Sequence, residues 1–114
     1  GWHVATKQDW ETLAAHFGGL SKAGSALKAL EIWREPNTGA TNSSRLGLLP
    51  TGCCLGSFEN GIFEGQGEIG YWWTSTPAMG GAGGEMIHLS YNSEEIEGNG
   101  SGPDFGYAVL CVKD

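Results

Sequence analysis

The sequence is poor in basic residues and has no long apolar run. Lys and Arg number 6 against 13 Asp and Glu, which gives a formal net charge of −7. Proteins that bind nucleic acids neutralise phosphates with clustered Lys and Arg, so this balance argues against nucleic acid and against an anionic membrane surface. No apolar stretch approaches the roughly 18 residues of a membrane span, and no signal peptide is recognisable. We therefore expect no direct membrane insertion, and a mature product or an excised domain.

Motifs for catalysis and cofactor binding are also missing. The glycines follow no G-x-G-x-x-G or P-loop pattern, and no G-x-S-x-G elbow marks a nucleophilic serine. The histidines, His3, His16 and His88, lie far apart and lack metal-ligand spacing, and no C-x-x-C pair offers a zinc site. We therefore expect structural histidines, no enzyme activity and no certain cofactor.

Glycine and large aromatic residues are abundant instead. The 114 residues include 20 Gly, 5 Trp, 4 Phe and 3 Tyr, which predicts one ordered domain over residues 1–114 with loops pinned by large side chains. Tyr71, Trp72 and Trp73 precede three hydroxyl residues, a pattern typical of a buried strand that ends in a polar loop. Strand alternation puts Tyr71 and Trp73 on one face and Trp72 on the other.

Helical periodicity is confined to the first third of the chain. After an opening strand at residues 1–4, Thr6 and Asp9 form a candidate capping box for a helix that ends at Gly18 and Gly19. The apolar face of this helix consists of Trp10, Leu13, Ala14 and Phe17. A second helix is predicted over residues 20–30, with Ser21 as its cap. A long irregular loop follows over residues 34–56, and its leucines are expected to pack on the core: Leu46, Leu48 and Leu49.

The rest of the chain predicts strands. A hairpin is expected over residues 57–76, where Phe58, Ile62 and Phe63 lead to the aromatic block. Residues 86–91 alternate as a strand, residues 92–104 form an acidic, glycine-rich loop, and residues 107–112 form a last strand that is apolar on both faces and therefore central. This order predicts an α+β fold with paired terminal strands. The predicted structural core is Trp2, Trp10, Leu13, Phe17, Tyr71, Trp72, Trp73 and Val109.

Two residue groups could carry site chemistry. Cys53, Cys54 and Cys111 are disulfide candidates, although adjacent cysteines rarely bond each other, so the partner of Cys111 stays open. The densest group of oxygen ligands lies near the C-terminus and is a candidate calcium site: Glu94, Glu95, Glu97 and Asp104, with Asn92 and Asn99. Its spacing matches no EF-hand, so a solvated acidic loop is the favoured interpretation.

Five blocks of residues, taken in order, carry a family resemblance. They are Gly1–Val4, Trp10–Leu13, Asn37–Ser44, Gly70–Thr76, and Gly106–Tyr107 with Cys111–Asp114. Together they resemble the Fibrobacter succinogenes major paralogous domain of secreted and surface-attached bacterial proteins. The resemblance implies a C-type-lectin-like fold, which has a small twisted antiparallel sheet with paired terminal strands, two flanking helices and long irregular loops. It also implies an extracellular bacterial location, where a disulfide is stable.

The chain departs from its relatives at the cysteines. Members of the family carry a cysteine ahead of the Gly-Trp-His block, paired with the counterpart of Cys111. The sequence here starts at Gly1, so the resemblance implies either a partner lost by processing or trimming, or a bridge to Cys53 or Cys54.

A second resemblance concerns the residues Glu35–Asn37, which match the calcium-and-sugar tripeptide of true C-type lectins. The companion Trp-Asn-Asp motif is missing. The catalytic cysteine pair of formylglycine-generating enzymes, which share the fold, has no counterpart either.

The function expected from the sequence is non-catalytic recognition. The resemblance implies an extracellular bacterial surface module that recognises glycan or surface-protein ligands through long loops. The candidate ligand-binding residues are Trp33, Glu35 and Asn37, because sugars stack on aromatic rings and hydrogen-bond to carboxylates and amides. The alternative is a structural subunit or head domain of an extracellular filament or pilus-like assembly, since glycine-rich loops could form contacts for self-association.

Overall fold

Short strands and two helices build the part of the chain that the structure describes. The computed structural model describes residues 1–56 and 61–114. Its elements are β1 (Trp2–Val4), α1 (Lys7–His16), α2 (Gly24–Leu27), β2 (Cys53–Leu55), β3 (Ile62–Glu64), β4 (Ile69–Pro77), β5 (Gly84–Ser90), β6 (Glu97–Ser101), β7 (Ala108–Val109) and β8 (Cys111–Lys113). The predicted α+β arrangement is confirmed, with the described strands divided among small separate sheets. Within these residues, no helix has the length and apolar character needed to cross a membrane.

The two ends of the chain pair as predicted. β1 and β8 form an antiparallel ribbon in which Trp2 lies opposite Lys113 and Val4 lies opposite Cys111. Trp2 is 69% exposed, so its predicted place in the core is wrong. A two-stranded ribbon at the surface cannot cover all of its side chains, and Trp2 is one of those left in solvent.

The last strand divides into two short strands. β7 runs parallel to β4, whereas β8 pairs with β1, and between them Leu110 accepts a 2.8 Å hydrogen bond from the backbone of Ala5. The prediction of one central strand is therefore wrong, because the two halves of the apolar run serve different sheets. Val109 lies opposite Trp73 on an edge strand and is 53% exposed, so its predicted core position is also wrong.

The main sheet has four strands in the order β6-β5-β4-β7. Residues 97–101 pair with β5, so the prediction of one loop over residues 92–104 is wrong for this part. Strand propensity does not predict β6, because this strand consists of Glu, Gly, Asn, Gly and Ser, and Gly and Asn are uncommon in strands. Gly98 faces Ile87, and an added Cβ would lie 3.2 Å from Ile87 Cδ1, so a small residue is favoured at this position.

The predicted hairpin over residues 57–76 is wrong in its pairing. Residues 62–64 do form a strand, but it pairs with β2, with Glu64 opposite Cys53, while β4 pairs with β5. Gly65 and Gly67 have φ angles of 79° and 86°, which turn the chain between β3 and β4 and separate their directions. Phe58 belonged to the same prediction and lies outside the described residues.

Helix α1 is confirmed together with its capping box. Thr6 Oγ1 accepts from the Asp9 backbone, and the Asp9 carboxylate accepts from the Thr6 backbone at 2.9 Å. Gly18 and Gly19 follow with φ angles of 97° and 96°, which stop the helix.

The second helix is much shorter than the predicted residues 20–30. Only Gly24–Leu27 are helical, and Ser21 is not a cap. The chain leaves the helix at Lys28, whose φ and ψ angles of −70° and 139° are extended. At Gly24 an added Cβ would lie 2.6 Å from the carbonyl oxygen of Glu94, so close packing of backbone on backbone decides the conformation here.

The core lies between α1 and the inner face of the four-stranded sheet. Trp10 and Trp72 are 1% and 4% exposed, with ring centroids 5.8 Å apart, so their predicted core positions are confirmed. Leu13 and Phe17 are partly buried against this cluster. From the long loop only Leu48 is buried in it, whereas Leu46 and Leu49 are exposed, so the prediction for the three leucines holds for one.

Candidate functional site

Strand β4 divides its aromatic side chains between the two faces of the sheet. Trp72 points into the core, whereas Tyr71 and Trp73 lie on the outer face and are partly buried. The register places Tyr71 opposite His88 and Trp73 opposite Met86 on that outer face. The alternation predicted from the sequence is therefore confirmed, whereas the predicted core positions of Tyr71 and Trp73 are wrong, because their rings lie outside the buried cluster.

A loop from the C-terminal part of the chain adds two more rings to the outer face. Tyr107 stacks on Tyr71 with ring centroids 5.3 Å apart and contacts Trp73 at 4.6 Å. Phe105, which is 37% exposed, stacks on Tyr107 at 6.0 Å with an interplanar angle of 2°. We call the four rings of Tyr71, Trp73, Phe105 and Tyr107 the aromatic face.

The backbone around Gly106 fixes the position of Tyr107. Gly106 and Cys54 exchange two backbone hydrogen bonds of 2.8 and 2.9 Å, which tie the loop to strand β2. An added Cβ at Gly106 would lie 3.0 Å from the Cβ of Cys54, so this approach favours glycine. The hydroxyls of Tyr107 and Ser101 are 2.9 Å apart, which ties the ring to the end of β6.

Two shallow depressions lie on either side of the contact between Trp73 and Tyr107. One, of about 390 Å³, is lined by Trp73 and by hydroxyl residues of β4. The other, of about 290 Å³, is lined by Tyr107, Phe63 and backbone of β2. Small-molecule sites begin at roughly 300 Å³ and combine apolar walls with a few polar groups. The aromatic face with its two depressions has this character.

Two carboxylates flank strand β4 near Tyr71. Glu97 pairs with Nε2 of His88, whose ring centroid is 5.7 Å from that of Tyr71, and this hydrogen bond lowers the pKa of Glu97. Glu64 is exposed on strand β3. Burial, followed by the charges of Cys53, Tyr107 and Glu64, raises the pKa of Tyr71, so its phenol stays protonated at neutral pH.

An apolar groove of about 420 Å³ lies elsewhere, between α1 and β8. Its walls include Trp10, Leu13, Leu110 and Val112. Asp9, Thr12, His16 and Lys113 also line this groove, and Asp9 is already bonded to His3 and Thr6. The tryptophan ring in its wall, that of Trp10, is buried, so the aromatic face with its four partly exposed rings is the better candidate for a stacking site.

A sequence model of the Fibrobacter succinogenes major domain matches residues 1–113. The chain belongs to this family. Comparisons with curated proteins and with solved structures found no match. The resemblance of the five sequence blocks to the Fibrobacter succinogenes major domain is thereby confirmed.

The ligand-binding residues predicted for this Fibrobacter succinogenes major domain do not form a common surface. Trp33 is 6% exposed, and its indole Nε1 donates to the carbonyl of Leu48 at 2.9 Å, so its ring is not open to stacking. Asn37 Nδ2 donates to the carbonyl of Ala29 at 3.1 Å, which directs the amide inward. Glu35 is exposed.

A buried lysine holds the long loops of the domain together. Lys28 is fully buried, and its Nζ donates to three backbone carbonyls, those of Thr38, Ser90 and Ser93, at 2.9 to 3.1 Å. Burial lowers the pKa of Lys28, whereas the charge of Glu94 raises it. The sequence predicted no such role, although a lysine beside Leu27 in an apolar segment was a signal for it.

The four acidic residues predicted as calcium ligands do not converge. Glu97 pairs with His88, Glu94 lies beside Lys28, and Glu95 and Asp104 are exposed. In residues 1–56 and 61–114, no three His, Cys, Asp or Glu side chains are arranged to hold a metal ion.

The three cysteines are all free thiols. Cys53 and Cys54 are partly buried in β2, and Cys111 is exposed in β8. Burial, with the charges of Glu64 and Cys54, raises the pKa of Cys53, which disfavours a reactive thiolate. Neither predicted disulfide of Cys111, to Cys53 or to Cys54, is formed in the structure.

Proposed function

We propose that this domain is a non-catalytic extracellular module of a bacterial surface, which recognises glycan or protein ligands on its aromatic face. The observation that carries the proposal is the set of four partly exposed rings between two depressions. Rings held in this way lose little entropy on binding and offer a large contact area. Such rings suit stacking on the apolar face of a sugar, while the exposed carboxylate of Glu64, next to the lining residue Phe63, suits its hydroxyls.

Loops are central to this proposal, as expected from the sequence, but the participating loop differs. Phe105 and Tyr107 come from the segment after β6 and not from the long loop after α2. Lys28 stabilises that long loop through its hydrogen bond to the carbonyl of Thr38. The paired terminal strands, the two helices and the loops over small sheets support a C-type-lectin-like fold as part of the same proposal.

The experiment is an affinity titration against a panel of oligosaccharides and cell-surface polysaccharides, by isothermal titration calorimetry. Trp73→Ala and Phe105→Ala are expected to weaken binding at least about tenfold, since central aromatic residues contribute about 2 kcal/mol or more. Trp2→Ala is the matched control, because Trp2 is exposed on β1 and lies outside the ring contacts. Circular dichroism checks that each variant is folded.

Two outcomes would count against the proposal. Equal losses in Trp73→Ala, Phe105→Ala and Trp2→Ala would show that binding does not depend on the aromatic face. A chain that binds no ligand in the panel and assembles into fibres would support the alternative, a filament subunit. Strand β6 favours that alternative, since it is the exposed outer edge of the main sheet and open edges pair with other chains.

A further inference from the structure

The surroundings of the aromatic face are acidic. Glu64 is exposed, lies opposite Cys53 and follows Phe63, and both of these neighbours line the smaller depression. Glu97 lies at the other side, with its charge shared with His88. Strand β4 therefore has a carboxylate on each side near Tyr71: Glu97 lies beyond His88, and Glu64 lies beyond Cys53.

Basic side chains are kept away from this surface. None of the 6 Lys and Arg residues lines either depression, and all of them belong to the described part of the chain. Lys28 is committed to backbone carbonyls, Arg34 pairs with Glu68 at 2.6 Å, and Lys7 lies 4.0 Å from Glu85. An anionic ligand would find carboxylates here and no compensating cation.

Aromatic rings favour the same sign of ligand charge. The faces of Trp and Tyr rings attract ammonium groups within about 6 Å of the ring centroid. Phe105, Tyr107 and Tyr71 form a stack whose outermost ring is 37% exposed, and Trp73 lies against it. Carboxylates beside ring faces complement a protonated amine.

The shape of the surface favours a saccharide over a peptide or a folded protein. The depressions of about 390 and 290 Å³ would each accommodate a small unit, and the ring contact between them would stack on the unit that joins the two. Thr74, Ser75 and Thr76 line the larger depression, and their hydroxyls are bonded within the chain, to Glu85, Val4 and Lys7. A standard protein interface needs about 800 Å² on each partner, which is more than two such depressions provide.

We propose that the aromatic face selects oligosaccharides that carry protonated amines over neutral and acidic oligosaccharides. This inference rests on the proposed function, because it assigns the ligand class of the same surface.

The test is calorimetric titration with three trimers of equal length: glucosamine, N-acetylglucosamine and galacturonate. The glucosamine trimer is expected to bind about three- to tenfold more tightly than the acetylated trimer, and the galacturonate trimer most weakly. Raising NaCl from 0.05 to 0.5 M, as chosen conditions, is expected to reduce the advantage of the amine, since exposed charges are screened. Trilysine is the fourth ligand and tests a peptide source of the same amine.

Glu64→Gln identifies the carboxylate without changing the size of the side chain. It is expected to weaken binding of the glucosamine trimer about two- to fivefold and to leave the acetylated trimer unchanged. Glu31→Gln is the matched control, because Glu31 is an exposed glutamate whose chain neighbours line neither depression, whereas Glu64 follows the lining residue Phe63.

The outcomes separate this inference from the proposed function. Equal affinity for the glucosamine and acetylated trimers, with dependence on Trp73, would overturn the preference for amines and leave the recognition function in place. Tighter binding of trilysine than of any saccharide would overturn the saccharide assignment. If no trimer binds and the panel ligands bind independently of Trp73, the proposed function itself fails.

Discussion

Removing the Trp72 ring should lower the free energy of unfolding more than truncating any other side chain of β4. Trp72 is 4% exposed, contacts Trp10, and lies over Gly70, where an added Cβ would be 2.3 Å from its ring. Burial of about 200 Å² of ring at about 25 cal/mol/Å² is equivalent to about 5 kcal/mol. Truncations of buried aromatic residues to alanine cost about 3–5 kcal/mol, so we expect that range for Trp72→Ala.

Urea unfolding followed by far-ultraviolet circular dichroism measures this loss without relying on tryptophan fluorescence. With a slope of about 1.5 kcal/mol/M, the midpoint should fall by about 2–3 M. Trp72→Phe should lose less, because it keeps a ring in the same place. Trp2→Ala should change the free energy of unfolding by under about 1 kcal/mol, since Trp2 is exposed. A loss below about 1 kcal/mol in Trp72→Ala would refute the assignment of this ring to the centre of the core.

Two further predictions concern polar contacts. Lys28→Met keeps the apolar stem but leaves three carbonyls without their donor, so we expect a loss of about 2–4 kcal/mol in urea unfolding, against a near-neutral Lys22→Met at the surface. The two ring nitrogens of His3 lie 2.7 Å from a carboxylate oxygen of Asp114 and 2.8 Å from one of Asp9, so both donate when the ring is protonated, and the two bonds raise the pKa of His3 above the ordinary value of 6.5. A raised pKa contributes stability that is complete below about pH 6.5 and is lost as the pH rises through the folded-state value, so melting temperatures from pH 6 to 9 should fall more in the native protein than in His3→Gln; parallel profiles would contradict it.

The fold was predictable where a strong local signal coincided with its tertiary role. Helix α1 combines a capping box, one apolar face and two glycines at its end, and all three agree with the structure. Trp72 was identifiable as a core residue by strand alternation. The pairing of β1 with β8 was predictable because an apolar last segment needs neighbouring strands.

The remaining elements depend on contacts that no local pattern records. Strand β6 has the composition of a loop and exists because its backbone pairs with β5 and Gly98 fits against Ile87. The second helix begins late, at Gly24, which packs on the backbone of Glu94, and it ends early because Lys28 is extended and its side chain turns inward. Tertiary contacts override local propensity in both places.

The candidate site was predictable only in part. Alternation placed Tyr71 and Trp73 together on one face, but the contribution of Phe105 and Tyr107 depends on the turn at Gly106 and its hydrogen bonds to Cys54. Trp33 was expected at the ligand surface because sugars stack on aromatic rings, but it is buried and its indole donates to the Leu48 carbonyl. Sequence spacing cannot distinguish an aromatic residue that anchors a loop from one that the loop presents.

The most direct measurement of the central claim uses the indole Nε1–H signals of the five tryptophans in ¹H–¹⁵N NMR spectra. Each tryptophan reports on a different place, and only Trp73 belongs to the aromatic face. On titration with the glucosamine trimer, the Trp73 signal should shift with saturation, while those of Trp2, Trp10, Trp33 and Trp72 stay nearly constant. A shift of Trp33 or Trp2 with an unchanged Trp73 would contradict ligand recognition on the aromatic face.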